Sequence, residues 1–412
     1  MFILLRKFIS FTKILYSKLL IVFFSPLSLI IIIISPFYLI RLGFISSSRV
    51  GTFLYVSEIF LAEKLDRINE RNKIGIDIFH FDKIISNKLI AKKIEDELFI
   101  IDRKLVNPIY KFFVFFSSYF KFLKKHIIRN HNYFRDSKYL IEKYSPIIKL
   151  NQEEIKLAKK ILEDNNIYPK KIAVFMIRDS AYLDKFLPSG RWINESLRDD
   201  DINSYLKSMK FLTSKDYTVF RMGKFMKNKL DTNDPNIIDY AFKNFRCELL
   251  DFYLMSKCDI CVTTDTGIDC ISDLHHRPMA MIQYPLSWVK SQRPNVLFMP
   301  KKIYSFKSKK NLSLLEIFNY KIIGERNFQN LYKKNLKVLT SNEDEILDLV
   351  SELYFRLEGV FLENKKDLEN QKKFWSIFFE KLKNDTEFVN HDGSYKAKIS
   401  STYLRSNEYF LN

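Results

Sequence analysis

Cysteine is scarce in this chain, with four residues in 412, all between Cys247 and Cys270. So local a set builds no disulfide framework, which suits a reducing compartment. Cys258-Asp-Ile-Cys261 has the spacing of half a zinc site. No His-x-His and no second Cys-x-x-Cys supplies the other half, and residues three apart on a strand point to opposite faces. Buried thiols are therefore expected. Zinc-finger spacing and an arginine-rich tail are also missing, so nucleic acid has no recognition element here. No Asp-x-Asp pair follows a strand, and no metal dependence is expected. No Ala-x-Ala site follows the amino-terminal apolar run, which argues against a removed signal peptide. Glycine and alanine are few, and there is neither an internal repeat nor a low-complexity linker.

What is present is length, apolar mass and positive charge. At 47% hydrophobic and 15% aromatic residues, the chain has material for two α/β domains with appendages. The formal charge of +19 suits an anionic membrane surface or phosphorylated substrates. Leu19 to Ile40 carries no charge and follows Arg6, Lys7, Lys13 and Lys18, a run approaching the length needed for a hydrocarbon core of about 30 Å. Pro26 and Pro36 break a straight helix, and Phe37 to Gly43 reads as a first core strand. Residues 1–36 are thus expected to form a kinked or interfacial hydrophobic anchor, with the body on the cytoplasmic face of the inner membrane. The aromatic run Phe112 to Phe120 fits either a lipid-binding surface or a buried docking helix.

Strand and helix signals alternate through the rest. The first block has strand signals at Phe37–Gly43, Ile74–Phe79 and Leu98–Ile101, with helices over Pro108–Lys125, Lys138–Tyr144 and Gln152–Asp164. The second begins with Lys171–Ile177, followed by helix Asp201–Leu212, strand Tyr217–Phe220, helix Glu248–Met255, strand Asp259–Thr263, helix Gly267–Leu274 and strand Met279–Gln283. That alternation is a doubly wound domain. A Ser341-x-x-Asp344 capping pattern opens a helical tail, and a second tail helix spans Lys365–Leu382.

The most informative segment lies between Cys258 and Asp273. A short apolar strand ends in Thr263, Thr264, Asp265, Thr266 and Gly267, and helical spacing resumes at Ile268. In a doubly wound sheet such a turn faces the ligand crevice, where a helix amino terminus and small hydroxyl residues favour a diphosphate. An ordinary βα turn has the same signal. Arg178 and Asp179 also follow a strand, where Arg can grip a phosphate and Asp a sugar or ribose hydroxyl. Arg221-Met222-Gly223 repeats that order. Asp265 and Asp269 suit hydroxyls better than phosphates, or Asp269 simply caps N–H groups. Arg198 to Asp201 reads as an N-cap with solvated charge, and His275-His276-Arg277 as helix C-terminal polarity.

Five stretches together resemble a family of predicted bacterial glycosyltransferases of the GT-B type, encoded with surface-polysaccharide genes. They are Ser48-Arg-Val-Gly51 through Ser57-Glu58, Phe175 to Leu183, Tyr217 to Gly223, Leu250-Asp251 through Thr266-Gly-Ile-Asp269, and Thr402-Tyr-Leu-Arg405. The likeness covers residues 37–411. It implies an α/β, GT-B-like fold: an anchor (1–36), an acceptor domain (37–165), a nucleotide-sugar donor domain (166–340) and a helical tail (341–412). It implies donor binding by Arg178, Tyr182, Arg221, Gly223, Thr263, Thr264, Asp265, Thr266, Gly267 and Asp269, with Arg49 and Gly51 on the acceptor side. If a base is needed, Glu58 is the first candidate and Asp179 the second. The chain departs from the family at Thr52 and Met176, where histidines are the pattern. The expected reaction moves a sugar from a nucleotide-diphosphate donor, used as substrate with no cofactor, to a glycan or lipid-linked acceptor. A non-catalytic nucleotide-sugar or glycan-binding scaffold and a nucleotide-sugar epimerase are the alternatives.

Overall fold

The computed structural model describes residues 19–66, 74–128, 136, 139–186, 196–383 and 395–412. The chain divides into two units: residues 1–136 with 143–149, and residues 137–142 with 150–412. The boundary therefore falls near residue 150, not 165, because the helix Gln152–Glu163 packs against Glu248–Lys257 of the second unit. Residues 1–18 of the expected anchor, with Arg6, Lys7, Lys13 and Lys18, lie outside the described residues.

In the first unit, β1 (Leu39–Ile45) and β2 (Gly75–Phe81) pair in parallel, with Leu39 opposite Gly75. A Cβ at Gly75 would fall 1.9 Å from the Leu39 carbonyl oxygen, so only glycine allows that approach. Single bridges extend the sheet, Ile127 beside β1 and Ile100 beside β2. The spatial order is then fourth, first, second, third, half of a Rossmann sheet. The expected third strand shrinks to the Ile100 bridge. The helix Val50–Leu65 buries Phe53, Leu54, Leu61 and Ala62, with the Phe53 ring edge-on to Phe81. A helix runs over Arg103–Phe116, started by Asp102 accepting the Lys104 N–H at 2.6 Å, and a 3-10 helix follows at Lys121–His126. The sequence pattern joins these two elements; the structure separates them.

The second unit is built on a seven-stranded sheet. Its strands are β3 (Lys171–Met176), β4 (Tyr217–Arg221), β5 (Ile237–Ile238), β6 (Ile260–Thr263), β7 (Met279–Gln283), β8 (Val296–Pro300) and β12 (Lys398–Ile399). They lie in the order β12-β8-β7-β6-β3-β4-β5, and every pairing is parallel. Counted along the chain, β5 to β8 read third, second, first, fourth, fifth, sixth, the full doubly wound order. Its direction of winding reverses between β3 and β6, where Met176 lies opposite Thr263. A small antiparallel sheet of β10 (Lys310–Asn311), β9 (Ile303–Ser305) and β11 (Leu336–Val338) follows β8.

The carboxy-terminal segment is part of this unit and not a separate tail. Its first helix, Glu343–Leu357, is capped by Asn342 and Glu345 in a reciprocal box, not by Ser341 and Asp344. Asn342 leads by one residue because its side chain meets the third helical N–H. From that helix the fully buried Glu352 accepts hydrogen bonds from the Ser400 hydroxyl (2.8 Å) and the N–H groups of Ser401 (3.0 Å) and Thr402 (2.9 Å). Those bonds seat β12 beside β8 and give the Thr402–Arg405 stretch a structural role.

Candidate functional site

The reversal between β3 and β6 places two loops side by side. The Arg178 N–H donates to Thr264 Oγ1 at 2.9 Å, tying the end of β3 to the end of β6. Asp269 Oδ2 accepts from Thr263 Oγ1 (2.7 Å) and from the Thr266 N–H (2.8 Å). One carboxylate thus bridges the loop, while Asp265 takes a left-handed φ of 58° at its apex and Gly267 stays exposed. Burial pushes the Asp269 carboxyl up to about 6, Lys290 pulls it down, and Asp265 raises it further. Asp269 therefore fixes the loop from inside and presents no oxygen to a sugar. The expected helix amino terminus at Gly267 is also displaced. The helix runs only from Cys270 to Leu274, behind Asp269. Five residues carry little dipole, so attraction for an anion here falls to side chains.

Two arginines sit at that point. Arg178 Nε pairs with Asp199 Oδ1 at 2.8 Å. Arg198, only 7% exposed, donates from Nη1 to the Asp265 carbonyl at 2.5 Å. Its guanidinium lies 5.2 Å from the centre of the Trp288 ring, and that of Arg326 lies 4.9 Å from the same ring. Beneath them the buried Lys301, just past β8, donates to Asp200 Oδ1 (2.7 Å) and to the Asp199 carbonyl (3.1 Å). Tyr205 donates to the other Asp200 oxygen at 2.8 Å. Burial pushes the Asp199 carboxyl up, against the pull of Arg178 and Lys301. Arg178, Arg198 and Lys301 are each held by a carboxylate or carbonyl, and their heads gather around the β3 and β6 loops.

Several expected site residues turn out to be structural. Arg221 is 1% exposed. It donates to Asp239 Oδ1 (2.9 Å) and the Asn228 carbonyl (3.0 Å), while Asp239 Oδ2 accepts the Leu230 N–H (2.9 Å). It clamps the loop after β4 from below and does not reach the crevice. Gly223 opens that loop at a φ of 151°, where a Cβ would lie 2.5 Å from the Met226 sulfur. Asp179 accepts the N–H groups of Ala181 (2.9 Å) and Lys227 (2.8 Å), joining the β3 and β4 loops. Tyr182, half-buried on the short helix Ala181–Phe186, sits beside Phe225.

In the first unit Glu58 is fully buried. Its oxygens accept from Ser145 Oγ (2.8 Å) and the N–H groups of Ile147 (2.5 Å) and Ile148 (3.0 Å). A carboxylate so enclosed holds a turn and is not placed to take a proton from a substrate. Arg49 is the extended N-cap of Val50–Leu65, with Gly51 half-buried in the first turn.

Sequence reasoning missed Arg198, Lys301 and Trp288. The only signal was one arginine set against three aspartates at 199–201, which reads equally as a solvated cap. Elsewhere Cys258, Cys261 and Cys270 are buried free thiols. Burial lowers His275 to about 4, with the Ile271 carbonyl 2.8 Å from its Nδ1. Among the described residues no group of three or more His, Cys, Asp or Glu side chains could hold a metal ion.

No family model matches the chain, and no curated protein does. Solved structures do. The chain is similar to ADP-heptose lipopolysaccharide heptosyltransferase II of E. coli, at 12% identity over 77% of this chain and 100% of that one, with a TM-score of 0.46. It is similar to a family 9 glycosyl transferase of Veillonella parvula, at 11% identity over 77% of this chain and 97% of that one, TM-score 0.42. An E. coli heptosyltransferase solved with ADP-2-deoxy-2-fluoro heptose matches at 13% identity over 63% of this chain and 92% of that one, TM-score 0.30.

Proposed function

We propose that this protein is a GT-B glycosyltransferase of surface-polysaccharide synthesis, moving a sugar from a nucleotide-diphosphate donor to a glycan or lipid-linked acceptor. The observation that carries the reading is the crevice at the β3–β6 reversal, where a doubly wound sheet binds nucleotides. There Arg178 and Arg198 stand over a loop held rigid by Asp269, whose exposed backbone at Gly267 is open to a diphosphate, while the buried Thr264 ties the loop to the end of β3 and Thr266 is bound through its N–H to Asp269. As the acceptor hydroxyl attacks the anomeric carbon and gives up its proton to water, the carbon–oxygen bond to the diphosphate breaks and the leaving group takes the bonding pair as charge. Preorganised arginines stabilise that charge, so the reaction is assigned no metal. Asp265 is assigned to a sugar or ribose hydroxyl, and Arg49 and Gly51 to the acceptor side. Glu58 and Asp179 are assigned structural roles. Because both are bound by backbone N–H groups, a nucleotide-sugar-binding scaffold is the second reading. Nucleotide sugars are made in the cytoplasm, and the reaction is assigned to the cytoplasmic face of the inner membrane.

The test is thermal shift with UDP, GDP, ADP and their sugars. A ligand at about 100 times its dissociation constant adds roughly 2.7 kcal/mol. At least one nucleoside diphosphate is expected to raise the melting temperature, with affinity at least about tenfold weaker in Arg178→Ala. No response to any of them sinks the reading. Binding without sugar transfer or donor turnover selects the scaffold.

A further inference from the structure

The helix Ser25–Ile34 is apolar on every side, and its only polar side chains, Ser25 and Ser28, bond back to the Val22 and Phe24 carbonyls. A helix of that kind is normally buried all round. Here Ser28 and Ile31 face inward, and Ile31 joins a core with Val106, Ile109, Phe112, Phe113 and Leu123. Leu27, Leu29, Ile30 and Ile33 are left exposed, Ile33 at 72%. The helix Arg103–Phe116 shares that core and exposes Phe115 at 56%, and Tyr119, Phe120 and Phe122 continue the apolar surface beyond it. Lys125 Nζ donates to Ser35 Oγ at 2.8 Å, joining the end of the first helix to the 3-10 helix Lys121–His126.

Charge within these segments has one sign. Lys111, Lys121, Lys124 and Lys125 are exposed around it. No Asp or Glu occurs before Glu58 or between Arg103 and His126. An apolar strip rimmed by lysines, with no acidic residue inside the three segments that form it and Asp102 only at the far start of Arg103–Phe116, is complementary to an anionic lipid surface, where lysine heads meet headgroups and the apolar side enters the acyl boundary. We infer that the first unit docks on an anionic lipid bilayer through the joined outer faces of Ser25–Ile34, Arg103–Phe116 and Lys121–His126. Among the described residues no helix is long and apolar enough to cross a membrane. The face lies in the plane of the surface, and the aromatic run serves it as much as the amino-terminal segment does.

The test is flotation of the full chain with vesicles of phosphatidylcholine alone or with about 30% phosphatidylglycerol. The chain is expected to float with the anionic vesicles and much less with neutral ones. It should be released when salt rises from about 0.1 M to about 1 M, where screening shortens to about 3 Å. Lys121→Glu and Lys124→Glu should each weaken partitioning at least about fivefold. Ile33→Asp and Phe115→Asp should abolish it, with unchanged melting because both positions are exposed. If Ile33→Asp melts lower, Phe115→Asp decides alone. No flotation, equal partitioning on neutral vesicles, or flotation untouched by either aspartate overturns the inference. A dimer in sedimentation that dissociates in Phe115→Asp also overturns it, since a second copy would then own the face. Nucleotide thermal shift on the same preparations keeps the two readings apart. A chain that answers nucleotides but ignores lipid refutes only the docking face.

Discussion

Glu58 offers the sharpest division between a catalytic and a structural carboxylate. Replacing it with alanine strips the acceptor from the half-buried Ile147 N–H, the buried Ile148 N–H and the Ser145 hydroxyl. The hydroxyl can rotate to another acceptor. Each orphaned N–H costs about 1–3 kcal/mol, so Glu58→Ala is expected to lose roughly 2–6 kcal/mol. That is a large part of the ~5–15 kcal/mol that holds a domain together. Glu58→Gln keeps one acceptor oxygen and turns an NH2 toward a donor, and its expected loss is about 1–3 kcal/mol. Urea unfolding followed by circular dichroism reads both losses. Nucleotide thermal shift should persist in Glu58→Gln, since the donor crevice belongs to the other unit. A Glu58→Gln protein with parental stability and no glycosyl transfer would refute the structural account and restore Glu58 as the base.

Gly223→Ala would set a Cβ 2.5 Å from the Met226 sulfur at a φ of 151°, with an expected loss of about 1–3 kcal/mol and weaker nucleotide binding. An unchanged urea midpoint would show that the β4 loop yields freely. The Asp269 carboxyl, raised to about 6 from 3.8 by burial, holds its proton more tightly in the folded chain than in the unfolded one. Its contribution is therefore complete below about pH 4 and lost as pH rises through about 6. Between pH 5 and 7.5 the parent should lose roughly 1–1.5 kcal/mol more than Asp269→Asn. Identical pH dependence in the two would remove Asp269 as the titrating group.

Periodicity reported the large elements well and the small ones poorly. Strands β3, β4, β6 and β7 were legible because parallel strands buried on both faces read as short apolar runs. The helices Gln152–Glu163 and Lys365–Leu382 were legible from their spacing, while the Asn151 and Asn364 boxes that cap them emerged only in the structure. Strands of two or three residues, such as β10, β11 and β12, carry no periodic signal. At the site, sequence order located the β3 and β6 loops but not the direction of their side chains. Arg221 follows a strand as Arg178 does, yet it turns under its loop to Asp239 while Arg178 stays at the crevice. Asp269 reads in the sequence either as a hydroxyl ligand or as a cap for N–H groups, and its bond from the Thr266 N–H fits the cap; Glu58 reads as a base, and burial ties it to backbone. Arg198 and Lys301 became visible only when strands far apart in sequence brought them together.

The pairing of β12 with β8 joins Lys398 to Leu297 and Ile399 to Phe298, about a hundred residues apart in the chain. During synthesis the β8 edge emerges long before its neighbour exists, and an uncovered edge strand invites pairing with other chains. Until Glu352 captures Ser400 to Thr402, the ribosome-bound chain carries that edge open. Growth temperature and chaperone supply should therefore govern yield through this one late pairing, and peptides released by premature termination before Lys398 should aggregate in preference to folding.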